Sequence, residues 1–123
     1  MHMSARDGQP PIFALKAEFF RVLGHPVRIR LLQLLRDGER TVGALQAALE
    51  LDSGGPSQHL AALRKQGLVA SRREGTNVYY RVKDPRTLDL LELAKRIIAA
   101  NLEEGQALLD GLSVEDFGPP RQG

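Results

Sequence analysis

The stretch "GPSQHLAALRKQGLVASRREGTNVYYRV", Gly55 to Val82, changes its period halfway along. Its first half repeats at helical spacing. At about 100° per residue, Pro56, Leu60 and Leu63 fall within one narrow stripe, the core side of a helix. Ser57, Gln58, Ala61, Ala62 and Lys65 occupy the opposite half, and Arg64 sits on the boundary. Gly67 can stop that helix just after Gln66. Beyond it the pattern alternates: Val78, Tyr80 and Val82 point one way, Tyr79 and Arg81 the other. The "EGTN" of Glu74–Asn77 then reads as the tip of a β-hairpin.

The start of the helix is unusual. A residue before proline avoids the helical region, and an interior glycine costs about 1 kcal/mol relative to alanine. Gly55 as the cap with Pro56 at the first position therefore predicts a late start, leaving Gly54 and Gly55 without side chains to offer.

The flanking segments supply the rest of the domain. Thr41 is an N-cap for a short helix carrying Val42, Leu45 and Leu49 on one side. Upstream, Phe13, Phe19, Phe20, Val22 and Leu23 recur near helical spacing until Gly24. Pro26 opens a second helix, "VRIRLLQLLRDG", apolar around much of its circumference and so central. Downstream, Asp84-Pro85 starts a long last helix bearing Leu88, Leu90, Leu91, Leu93, Ala94, Ile97, Ile98 and Leu102. The expected order is α-α-α-α-β-β-α: a mostly α fold with a small hairpin, a winged helix-turn-helix. Residues 1–10 read as a flexible arm, 11–104 as the domain, and 105–123 as an acidic, partly frayed tail.

Composition narrows the function classes. The chain has 123 residues, 42% hydrophobic and 26% charged, and no cysteine. Disulfides, thiolate metal sites and cysteine nucleophiles are excluded. No apolar run approaches the roughly 20 residues of a membrane helix, and the first residues do not make a signal peptide, so a cytoplasmic protein with no membrane partner is expected. No serine has a readable histidine and acid beside it, and no glycine loop cradles phosphate; an enzyme is not expected. Net charge is only +2, but it is unevenly placed. From Ser57 to Lys83 the cations are Arg64, Lys65, Arg72, Arg73, Arg81 and Lys83, against Glu74 alone. From Asn101 to Gly118 stand Glu103, Glu104, Asp110, Glu115 and Asp116 with no cation. This asymmetry suits a polyanion-binding face.

The expected DNA-facing residues follow. Gln58 suits bidentate contact with adenine, Ser57 can bond a base or a phosphate, and Ala61 permits close approach. Arg64 and Lys65 sit where the helix leaves the groove and phosphates come within reach. His59 lies on the shoulder of the core; it is either a half-buried histidine bonding locally or a phosphate contact. On the hairpin, Arg72, Arg73, Thr76, Asn77 and Tyr79 form a wing for the backbone or the adjacent minor groove. A second reading keeps the same fold as a protein-interaction module, its basic face meeting an acidic partner.

The segments "HPVRIRLLQLLRDGE" (His25–Glu39) and "SQHLAALRKQGLVASRREGTNVYY" (Ser57–Tyr80) resemble the ArsR/SmtB type of bacterial winged-helix repressors. The similarity runs from about Lys16 to Asn101. It implies a homodimer paired through its first and last helices, a palindromic double-stranded operator, repression, and release by a metal or another small effector. Phe13, Phe19, Phe20, Leu91, Ala94, Ile97, Ile98 and Leu102 would then face the partner copy. The family's recognition helix would begin near Asp52 or Ser53, which adds Ser53 to the DNA-facing set. The chain departs from the metal-sensing members: Thr41-Val42-Gly43 stands where they carry Cys-x-Cys, and the last helix offers Asp89 and Glu92 but no histidine. No metal and no cofactor are expected, and an unidentified small-molecule effector stays open as a partner.

Overall fold

The computed structural model describes residues 8–49 and 55–115. The elements are α1 (Ile12–Leu23), α2 (Pro26–Leu34), β1 (Arg40–Thr41), α3 (Val42–Leu49), α4 (Ser57–Lys65), β2 (Val69–Glu74), β3 (Asn77–Val82) and α5 (Arg86–Glu115). The winged helix-turn-helix expected from the sequence is what the chain forms, with one addition. A two-residue strand, β1, makes the hairpin a three-stranded antiparallel sheet in the order β1-β3-β2. It pairs Arg40 with Tyr80 and Thr41 with Tyr79. Two residues show no period, so only the pairing partner reveals such a strand.

Local chemistry sets the helix ends. His25 caps α2, its Nδ1 accepting from the Val27 amide at 3.1 Å, and Pro26 takes the first position. Thr41 caps α3, its Oγ1 accepting from the Ala44 amide at 3.1 Å. Asp84 caps α5, its Oδ1 accepting from the Arg86 amide at 2.9 Å. The α4 helix starts late: Pro56 has helical angles (φ −73°, ψ −9°) and its carbonyl accepts from the Leu60 amide at 2.8 Å. At its other end Gly67 takes φ +81°. The Leu68 amide donates to Leu63 O and the Gly67 amide to Arg64 O, both at 2.9 Å, which is a Schellman stop.

The chain divides into two compact units at Leu88/Asp89. In the first, Leu31, Leu32, Leu45, Leu60, Leu63 and Val69 are fully buried with Pro56, and Leu35 and Leu68 nearly so. Each such side chain contributes about 1.5–3 kcal/mol of apolar transfer, so α2, α3 and α4 converge on one leucine core. Pro56, Leu60 and Leu63 are the inward stripe of α4, which turns its other side to solvent. In the second unit α5 continues past residue 104 to Glu115, with Leu93, Ile97, Ile98, Leu102, Leu108 and Leu109 exposed.

Candidate nucleic-acid interface

The solvent side of α4 presents Ser57, Gln58, Ala61, Arg64 and Lys65, all exposed. Ala62 is half-buried, because it lies with Lys65 and Gln66 along a groove whose other wall is Glu18, Arg21 and Val22 of α1. Glu18 and Arg21 are ion-paired to each other, and the Arg21 hydrogen bond holds the Glu18 carboxyl below its ordinary range. Ser53 lies outside the described residues.

Arg64 connects the helix to the wing: its Nη1 donates to Ser71 Oγ at 3.2 Å. That contact also orients the sheet. Side chains alternate along a strand, so Val69, Ser71 and Arg73 share the face turned toward α4, and Ala70, Arg72 and Glu74 share the other. The adjacent Arg72 and Arg73 therefore point to opposite sides.

The two arginines also differ in their partners. Arg72 donates from Nε to both Glu39 oxygens, at 3.1 and 2.9 Å, and also bridges Glu39 through Nη2 and Glu74 through Nη1. Its guanidinium lies 4.4 Å from the Tyr79 ring centroid, a cation–π stack. These bonds raise the Arg72 pKa and, on the other side, the Arg72 hydrogen bond lowers that of Glu39. Arg72 and Tyr79, both expected on the wing's DNA-facing set, are joined in a clasp that ties β2 and β3 to the loop before β1. Within the wing itself Glu74 is the only acid. Glu39 is 33 residues away from Arg72 and gives no local signal. Arg73 is exposed, as are Thr76 and Asn77 at the tip, where Gly75 takes φ +62°.

His59 is half-buried and bonds locally. Its Nδ1 accepts from Arg28 Nε at 3.2 Å, and its ring lies 4.4 Å, centroid to centroid, from that of His25. Desolvation by burial, with the charges of His25 and Arg28, pushes its pKa below the ordinary 6.5. The local bonding expected of a half-buried histidine is thus present. The contact of Arg28 with His59 leaves no local signal in the sequence beyond the "HPVR" run at the start of α2.

Among the residues expected at a partner interface, Phe13 and Phe20 of α1 are 60% and 53% exposed. Phe19 is half-buried and meets the Phe20 ring edge-on at 5.4 Å. On α5, Leu91 is half-buried while Ala94, Ile97, Ile98 and Leu102 are exposed. Among the described residues no group of three or more His, Cys, Asp or Glu is placed to hold a metal ion, and no helix is long and apolar enough to cross a membrane.

A family model described as a helix-turn-helix domain matches residues 23–72. The chain is 42% identical over 103 residues to an HTH-type transcriptional regulator of Mycobacterium tuberculosis, Rv0081, covering 83% of this chain and 90% of that one. It is 38% identical over 104 residues to an SmtB-homologous transcriptional repressor of Synechocystis, covering 80% and 76%. Among solved structures, the Rv0081 crystal structure superposes with a TM-score of 0.69 at 41% identity, covering 78% of this chain and 97% of that one. A homodimeric winged helix-turn-helix DNA-binding domain from Mycobacterium bovis, described as a possible ArsR-family regulator, superposes with a TM-score of 0.67 at 32% identity, covering 80% and 95%.

Proposed function

The chain belongs to the ArsR/SmtB type of winged-helix transcriptional regulators, and we propose that it acts as a homodimeric repressor of a palindromic operator. Sequence-specific DNA binding is its function. The finer reading places α4 in the major groove, with Ser57 and Gln58 on base edges and Arg64 and Lys65 on phosphates. Arg73, Thr76 and Asn77 follow the backbone or the adjacent minor groove. Arg72 and Tyr79 hold the wing in shape from its other face.

The observation that carries this reading is the continuity, among the described residues, of one surface whose charged side chains are cations. The exposed side of α4 passes through the Arg64–Ser71 contact onto the Arg73 face of the wing. Of the flanking acids, Glu39 and Glu74 are bound to Arg72 on the opposite face, and Glu18, beside Lys65, is bound to Arg21. A protein-interaction module would need no such segregation, and the relatives do not favour it. The exposed apolar residues of α1 and α5 suit pairing with a second copy, which a chain of this size uses to enlarge its core. Thiolate sensing of a soft metal is chemically closed to a chain without cysteine.

Selection of bound sequences from random duplex DNA tests the proposal. The expected result is a two-fold symmetric site with half-sites about 34–36 Å apart, bound with an affinity that falls steeply with salt. Absence of any enriched sequence at moderate salt would overturn it.

A further inference from the structure

Beside the leucine core, basic side chains meet where α2 and α4 begin. His25 stands at the start of α2, Arg28 one turn into it, and His59 on α4 immediately after Gln58. Arg28 reaches across the joint, donating from Nε to His59 Nδ1 and from Nη1 to the Val22 carbonyl, each at 3.2 Å. The His25 ring packs against that of His59, and its own Nδ1 is occupied by the Val27 amide. Among the described residues no carboxylate pairs with Arg28. His59 thus serves as a hydrogen-bond acceptor through Nδ1, which an imidazolium cannot do.

Building on the DNA-binding reading, we propose that Arg28, His25 and His59 are positioning residues that seat the recognition helix, and that a proton on His59 unseats it. A protonated His59 turns an N–H toward the Arg28 donor and adds a cation beside Arg28 and His25. The contact that fixes the first turn of α4 against α2 becomes repulsive. Ser57 and Gln58, the two side chains just before His59, then lose the geometry that base contacts require.

The surrounding charges agree. From α2 the group facing His59 is Arg28, and from the α1–α2 junction it is His25; these are the charges that act on it. The charged groups that α1 turns toward α4, Glu18 and Arg21, are paired to each other and line the groove beside Lys65. On the β2 side Ser71 engages Arg64. His59 titrates below 6.5 in the folded chain, so the neutral form is the one the fold favours. The seating is complete above that ordinary value and is lost as pH falls through it toward the lower folded value.

The direction of the pH effect separates this role from direct DNA contact. If His59 touched phosphate, acidification would add a cation to the interface and strengthen binding. A seating role demands the reverse. The experiment measures affinity for a duplex recovered by selection, at fixed ionic strength, from about pH 7.5 to about pH 5.5, the range in which histidine titrates. Wild type should weaken by about threefold or more. His59→Gln retains an acceptor for Arg28 but cannot take a proton, so its affinity, whatever its level near neutrality, should show a flat profile. His25→Asn preserves the α2 cap and should change the profile without abolishing binding. In parallel, NMR of the free protein should show α4 amide shifts and loss of exchange protection at Leu60 following the His59 titration. Tighter binding in acid, an unchanged profile in His59→Gln, or α4 amides indifferent to the His59 titration would each overturn the proposal. Failure to bind any selected duplex at pH 7.5 would instead overturn the DNA-binding reading, and the NMR measurement would still decide the seating role.

Discussion

Arg72 and Arg73 are neighbours in sequence with the same side chain, yet the structure separates them. Arg73 is exposed on the α4 side of the wing, whereas Arg72 is held by Glu39, Glu74 and the Tyr79 ring. Substituting Arg73 with Ala should weaken binding to all duplexes alike and lower the slope of log affinity against log salt by about 1. Arg72→Ala should change that slope less, because its charge is already matched, while raising hydrogen exchange in β2 and β3. A salt titration of both variants decides the matter; equal losses would show Arg72 to be a phosphate contact as well. Gln58 belongs to a different class. Its replacement should alter which base is preferred, by about 1–3 kcal/mol of discrimination at one position, as read by repeated selection.

At the scale of elements, the recognition helix is defined by its ends and its inner stripe. Leu63→Ala removes a fully buried side chain and should destabilise the fold by about 2–5 kcal/mol, measured by denaturant unfolding. Gly67→Ala forces a side chain into a left-handed conformation and should cost about 1–2 kcal/mol in the same assay. The late start of α4 was legible because proline chemistry is local; the Gly54 and Ser53 positions lie outside the described residues. The cap of α5 makes a prediction in pH. Hydrogen bonds from the Arg86 side chain and then from its backbone amide hold the Asp84 carboxyl down to about 2, against an ordinary 3.8. A depressed carboxylate stabilises the fold above its ordinary value, and the contribution fades as pH falls from there toward about 2. Thermal melts should therefore separate wild type from Asp84→Ala at neutral pH and converge in strong acid.

For the whole molecule, the apolar surfaces left exposed on α1 and on α5 predict self-association. Ile98→Glu, at a side chain 57% exposed in the single chain, should shift the protein toward monomer in sedimentation while leaving its helical signal intact. Operator affinity should fall with it, since a symmetric site needs two reading heads. What the sequence alone determined was whatever depends on near neighbours. It set the period that makes α4 a helix and β3 a strand, the prolines and caps that start α2 and α5, the inward stripe of Pro56, Leu60 and Leu63, and the family. Tertiary structure decided what depends on residues far apart in the chain. Glu39 meets Arg72 across 33 positions and matches its charge. Arg28 meets His59 across 31 and ties the start of α2 to that of α4. The strand Arg40–Thr41 exists only because β3 lies beside it. Local periodicity records which way a side chain points; only the folded chain brings to it the partner that sets its charge and its freedom to act.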